Sequence, residues 1–122
     1  MGKLSRTKGA SYERHVASVL RPYYPNAKRG LGQARAGHEV DDVEGTPFWV
    51  QCKHGQRPNL LEALSQADRD RIAAGDLRPS LVIARKNGGA DVVCLRLADF
   101  LELLPMASLQ ASIDELDPES EG

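Results

Sequence analysis

The chain has little of what marks secreted or membrane-embedded proteins. It contains 2 Cys in 122 residues, too few for a disulfide scaffold, and Cys52 and Cys94 each lie in an apolar run where a buried free thiol is expected. No apolar stretch approaches the roughly 18 residues of a membrane-spanning helix. The N-terminal sequence MGKLSRTKGASYER is basic but lacks the apolar segment of a signal peptide. We therefore expect a cytoplasmic protein with no membrane partner.

A strong net charge is also missing, but the charges are unevenly distributed. The formal net charge is -1. Residues 1–60 contain 10 Lys or Arg and 5 Asp or Glu, a balance of +5, whereas residues 61–122 contain 6 and 12, a balance of -6. A basic front half is what a nucleic-acid backbone attracts. Mixed charges that merely solvate the surface are an equally good explanation at this stage.

The length fits one domain. With 122 residues, of which 41% are hydrophobic, the chain can bury an ordinary core. We expect this domain to occupy residues 1–110. Residues 111–122 contain five acids and no base, so they are predicted to form a disordered acidic tail.

Alternating helical and strand patterns predict a mixed central sheet flanked by helices, an α/β or α+β fold. Helices are predicted over residues 8–20, 59–74 and 98–104, and strands over 26–29, 40–43, 48–53, 81–84 and 91–95. Asn59 is the expected N-cap of the second helix, with Glu62 three residues later. Residues 30–38 include three Gly and are predicted to form a basic loop.

A predicted hairpin carries the most informative group of polar residues. Its arms, residues 40–43 and 48–53, are separated by turn-forming residues. Asp42 lies on the first arm, whereas Gln51 and Lys53, two residues apart, share one face of the second arm. Mg²⁺ takes oxygen ligands and keeps several waters, and a nearby cation stabilises the charge that develops during phosphodiester hydrolysis. Asp42 and Gln51 are therefore candidate metal ligands, and Lys53 is a candidate catalytic cation.

Each residue of this hairpin also has a simpler explanation. Asp42 alone could cap a turn, and Lys53 alone could be a solvated charge at a strand end. Asp41 could be the ligand instead of Asp42, although alternation turns only one of the two toward Lys53. Trp49, on the face of Lys53, either lines the cleft or packs in the core.

Five residues between positions 8 and 67 resemble the motif of the PD-(D/E)XK nuclease superfamily. They are Glu13 in KGASYERHVA, Asp42 in VDDVEG, Gln51 and Lys53 in FWVQCKHG, and Gln66 in ALSQA. The similarity runs over residues 8–67 and is greatest to the Holliday-junction resolvases of archaea and phages. It implies a restriction-endonuclease-like core with the order αβββαβ, a catalytic and metal-binding role for Glu13, and a supporting role for Gln66.

The resemblance also implies an activity and its partners. Resolvases of this type are homodimers whose two sites nick opposing strands of a four-way DNA junction during recombination. By that resemblance we expect a Mg²⁺-dependent endonuclease, with Mn²⁺ able to substitute, in a prokaryotic or phage-infected cell. Other nicking or restriction-like nucleases on the same core are the first alternative.

Two positions depart from the superfamily motif. Asp41 stands where the motif has Pro, a residue without a chemical role. Gln51 stands where the motif has an acid, which removes a negative charge from the site. This second departure keeps open another alternative, a nucleic-acid-binding module without catalysis.

Basic residues outside the hairpin are candidate contacts to the DNA backbone. Each of them alone is equally explained as a solvated charge, and together they form the basic face. The candidate DNA-binding residues are Lys8, Lys28, Arg29, Arg35, His54 and Arg57.

Overall fold

The computed structural model describes residues 2–30, 39–105 and 114–115, with side chains described from Gly9 onward in the first helix. Within these residues the helices are α1 (Gly2–Leu20), α2 (Leu60–Ala73) and α3 (Leu97–Glu102). The strands are β1 (Lys28–Arg29), β2 (Val43–Glu44), β3 (Trp49–Gly55), β4 (Ser80–Lys86) and β5 (Asp91–Cys94). The predicted mixed α+β fold is therefore confirmed.

The strands form one mixed sheet in the order β1-β2-β3-β4-β5. β3 and β4 run parallel over seven paired residues, from Trp49↔Ser80 to Gly55↔Lys86, and all other neighbouring pairs are antiparallel. Because a parallel connection needs a crossover, α2 occupies the segment between β3 and β4. The order αβββαβ is present and is followed by β5 and α3.

Helix α1 covers one face of the sheet. Tyr12, Val16 and Ala17 are at most 4% exposed and pack with Val50 and other strand residues. Val19 is 50% exposed, because the helix turns Ala17 inward instead. The helix also begins at Gly2 rather than residue 8, since its polar first turns give no hydrophobic periodicity.

Helix α2 covers the opposite face. Ala63, Leu64 and Ala67 are buried, and two of them pack with Val82 of β4. The predicted N-cap is confirmed, because the Asn59 side chain accepts a hydrogen bond from the Glu62 N–H at 3.0 Å. Ile72, near the end of the helix, is 67% exposed.

Two predicted segments lie mostly outside the residues that the structure describes. The acidic tail over residues 111–122 is described only at residues 114–115, and the basic loop over residues 30–38 only at Gly30. Of the helices within the described residues, none combines the length and the apolar character needed to cross a membrane.

Candidate metal and nucleic-acid site

Asp42 lies where β2 and β3 separate. Its carboxylate Oδ2 accepts a hydrogen bond from the Cys52 N–H at 2.8 Å, and its own N–H donates to the Val50 carbonyl at 2.8 Å. The Gly30 N–H donates to the Asp42 carbonyl at 2.8 Å. A Cβ at Gly30 would collide with the Asp41 carbonyl oxygen, so this close approach of two backbones requires glycine. Asp42 is thus held at both its backbone and its carboxylate.

Asp41 has a different environment from its neighbour. Its side chain is 3% exposed and its Oδ2 accepts from Arg78 Nη1 at 3.3 Å and from the Val50 N–H at 3.3 Å. Burial raises the pKa of Asp41, and the adjacent Arg78 opposes that shift. Asp41 is therefore occupied by a structural ion pair, whereas Asp42 points toward the later part of β3.

Lys53 is exposed near the carboxyl end of β3, and the half-buried Gln51 lies two residues earlier on the same face. Lys53 lines a cavity of about 190 Å³ with side chains from the start of α2. Gln66 lines the same cavity. The Gln66 amide donates to Asp70 and accepts from Arg69, both at 2.9 Å, which fixes its orientation.

Glu13 reaches the same region from α1. Its side chain is 20% exposed, and its Oε1 accepts a charge-assisted hydrogen bond from Arg29 Nε at 2.9 Å. Arg29 belongs to β1, next to β2 in the sheet. The contact joins a candidate metal ligand to a candidate DNA-binding residue, so one of them must exchange partners to act in its predicted role.

The electrostatics of Asp42 reflect this crowded setting. Burial raises the pKa of Asp42 to about 7, with a further upward contribution from the negative charge of Glu13. The hydrogen bond from Cys52 and the positive charge of Lys53 act in the opposite direction. A second positive charge close to Asp42 would restore its ionised form.

The residues present fit a magnesium-like ion that keeps several waters. Two carboxylates, Asp42 and Glu13, and one amide, Gln51, offer oxygen atoms, the ligand type that Mg²⁺ prefers. Among the described residues, no group of three or more His, Cys, Asp or Glu side chains is placed to hold a metal ion.

The candidate DNA-binding residues differ in their surroundings. Lys28, Arg29 and Arg57 are exposed, while the His54 ring packs against Tyr12 with centroids 4.9 Å apart. The side chain of Lys8 and all of Arg35 lie outside the part of the chain that the structure describes.

Sequence reasoning missed the role of Arg78. Its guanidinium bonds both oxygens of Asp76, the Asp41 carboxylate, and the carbonyls of Thr46 and Phe48. It also lies 5.7 Å from the ring centroid of Trp49, which is 3% exposed. Trp49 therefore packs in the interior rather than lining the cleft. Arg78 is 37 residues from Asp41 in sequence, so no local pattern could have identified this contact.

Comparisons with known proteins found no match: no family model, no curated protein and no solved structure is significantly similar to the chain.

Proposed function

We propose that the chain is a metal-dependent DNA endonuclease whose active site is formed by Asp42, Gln51, Lys53 and Glu13. The observation that carries the proposal is the position of Asp42. Its carboxylate is fixed by the Cys52 N–H where the hairpin opens, within electrostatic reach of the carboxylate of Glu13 and the ammonium group of Lys53. An acid, a second acid and a cation in one place suit metal-assisted phosphoryl transfer.

In the proposed mechanism, Asp42, Gln51 and Glu13 would hold the metal ion through oxygen atoms. A bound Mg²⁺ would polarise a phosphate oxygen and lower the pKa of a bound water. Lys53 orients the attacking water and stabilises the negative charge that develops on the phosphate oxygens. Glu13 would be available to the metal once Arg29 contacts a DNA phosphate instead.

The proposed substrate is branched DNA, with the four-way junction as the specific candidate. Exposed Lys28 and Arg57 are suited to contacts with the phosphate backbone, which carry little sequence information. Resolution of a junction needs two sites, and hence a second copy of the chain. Exposed apolar side chains on α3 and at its C-cap offer a surface for that copy. They are Leu97, Phe100, Leu101 and Leu103.

The roles within the site are tested by measuring metal binding and cleavage separately. We expect Asp42→Asn to lose both, because it removes the central ligand. Lys53→Met should retain the Mn²⁺ affinity but lower the cleavage rate about 100-fold or more. Arg14→Met is the control, since Arg14 is an exposed cation on α1 that has no role in the proposed site. Equal activity of the Lys53 and Arg14 variants would refute the catalytic role of Lys53.

A non-catalytic nucleic-acid-binding module is the second candidate function. Two observations favour it: Gln51 contributes no negative charge, and Glu13 is paired with Arg29. This alternative predicts that the wild-type chain binds junction DNA equally well with and without divalent metal and never cuts it. Cleavage that requires Mg²⁺ or Mn²⁺ would exclude it.

A further inference from the structure

A second cavity lies on the other face of the sheet from Lys53. It has a volume of about 240 Å³, and its lining is almost entirely polar or aromatic: Ser11, Tyr12, His15, His54 and Arg85. His54 and Arg85 are paired across the parallel strands β3 and β4. Successive strand residues point to opposite faces of a sheet. Lys53 therefore lies on the face of the proposed active site, and His54, the next residue of β3, lies on the face of this cavity.

Asp91 organises the side chains of this cavity. Its Oδ1 accepts from the Tyr12 hydroxyl and from Arg85 Nε, both at 2.9 Å. Its Oδ2 accepts from Arg85 Nη2 at 3.1 Å and lies 2.9 Å from His15 Nε2, which itself lies 3.1 Å from Arg85 Nη2. The positive charge of Arg85 offsets the negative charge of Asp91, so the pair as a whole adds no net negative charge to the cavity.

The cavity retains donors that Asp91 does not use. Arg85 bonds Asp91 through Nε and Nη2, and its Nη1 group makes no hydrogen bond among the described residues. The exposed Ser11 hydroxyl is a further donor. Burial and the hydrogen bond to Asp91 raise the pKa of Tyr12, which keeps its hydroxyl protonated and donating to Asp91. Asp91 therefore fixes the orientation of Arg85 through Nε and Nη2 and leaves Nη1 as the remaining donor of the guanidinium.

We propose that this cavity binds a phosphate group of the DNA backbone, adjacent to the phosphate that is positioned at Lys53. The inference rests on the proposed function, because that function supplies the DNA. It adds a specific anion site on the α1 side of the sheet, so that one strand of DNA crosses the carboxyl-terminal edge of β3 and β4. A charge-assisted hydrogen bond from the remaining Nη1 group of Arg85 suits a phosphate oxygen.

The test uses a double variant that leaves the net charge unchanged. Arg85→Gln with Asp91→Asn removes one cation and one anion and keeps polar side chains in both positions. The matched control changes the Arg96–Asp68 pair, with its 2.7 Å contact, in the same way. That pair lies near the amino-terminal end of β4, since Asp68 also accepts from Ser80 at the start of this strand, whereas Arg85 lies near the carboxyl-terminal end. Thermal unfolding first establishes that both variants fold.

Binding of a labelled four-way junction is then measured in EDTA at several salt concentrations, so that cleavage plays no part. We expect the Arg85/Asp91 variant to bind at least about fivefold more weakly, and the slope of log K against log salt to fall by about 0.9, as for one lost duplex phosphate contact. The control variant should match the wild type. Unchanged affinity and slope in a folded Arg85/Asp91 variant would overturn the proposal.

A second arm separates a backbone phosphate from a free anion. Inorganic phosphate is titrated against the labelled wild-type protein, and the side-chain NMR signals of His15, His54 and Arg85 are followed. Shifts of these signals in the wild type, with none in the double variant, support an anion site. If phosphate causes these shifts but the double variant binds the junction as tightly as the wild type, the assignment of the site to DNA is overturned. If the wild type binds no DNA at all, the proposed function itself fails, whatever the phosphate titration gives.

Discussion

At the scale of single residues, Asp42 combines burial with a short hydrogen bond and two neighbouring charges. Burial favours the protonated acid, whereas the Cys52 N–H and Lys53 favour the carboxylate. The folded chain therefore holds an acid that a divalent cation would ionise. The free energy of unfolding should therefore depend on pH, because the pKa of Asp42 differs between the folded and unfolded states.

The first prediction concerns how the free energy of unfolding depends on pH when a metal chelator is present, so that no divalent cation binds Asp42. The pKa of Asp42 rises from an ordinary 3.8 to about 7 on folding, so its contribution is complete below pH 3.8 and is lost as the pH rises through 7. Between pH 5 and pH 8, the free energy of unfolding should fall by about 1–3 kcal/mol more in the wild type than in Asp42→Asn. Urea unfolding at both pH values measures this, and parallel profiles would contradict it.

A second residue-scale prediction concerns Gln51. Replacing Gln51 by Glu supplies the negative charge that the superfamily motif carries, so Mg²⁺ should bind more tightly and cleavage should be preserved or increased. Metal titration and a cleavage assay measure the two effects, with Gln56→Glu as a control at an exposed position after β3. Loss of cleavage by a folded Gln51→Glu protein would count against Gln51 as a ligand.

At the scale of elements, the β2–β3 hairpin is held from outside by Arg78. This guanidinium lies before β4 and joins Asp41, the turn carbonyls and Asp76. Because Asp41 directly precedes Asp42, the clamp also sets the direction in which Asp42 points. The geometry of the candidate site therefore depends on a contact that is remote in sequence.

The third prediction follows from this clamp. Arg78→Ala leaves the 3% exposed Asp41 side chain without its ion-pair partner, and should lower the free energy of unfolding by about 2–4 kcal/mol at neutral pH. Adding Asp41→Asn should recover part of that loss. Arg69→Ala is the control, because the Arg69–Glu62 pair is exposed and should contribute at most about 0.5 kcal/mol. Equal destabilisation by both single variants would contradict the clamp.

The elements differ in how far the sequence predicts them. Helix α2 could be predicted at both ends, since Asn59 caps its start and Gly75, with φ +69°, follows its end. Period-two alternation predicts the hairpin and places Gln51 and Lys53 on one face of β3. The first strand, however, is Val43–Glu44 rather than residues 40–43, so Asp42 lies in a bend just before the strand. The partners Arg78 and Asp91 could not be predicted, because their contacts join segments 37 and 76 or more residues apart, and a single sequence does not reveal such pairs.

At the scale of the whole molecule, cationic side chains gather at the carboxyl-terminal edge of β3 and β4. Lys53 lies on one face, Arg85 on the other, and Arg57 and Lys86 lie close by in the sequence. The overall net charge of -1 hides this local concentration. DNA binding should consequently weaken steeply with salt although the chain as a whole is not basic.

The fourth prediction concerns assembly. If the exposed apolar residues of α3 join two copies, Leu101→Glu should shift a dimer to monomers in sedimentation experiments and abolish paired nicking, while single nicks persist. Leu77→Glu is the control, because Leu77 is 95% exposed and lies outside β5 and α3. A wild type that is monomeric at all concentrations, or a Leu101→Glu dimer, would refute this interface.

The most direct test of the central claim is cleavage of a labelled four-way junction beside a linear duplex of the same sequence. Wild type and Asp42→Asn are each assayed with Mg²⁺ and with EDTA. The proposal predicts paired symmetric nicks in the junction by the wild type with Mg²⁺ alone. Equal cutting of both substrates would retain the nuclease and reject the junction preference, whereas binding without cutting under any divalent metal would contradict the proposed catalysis.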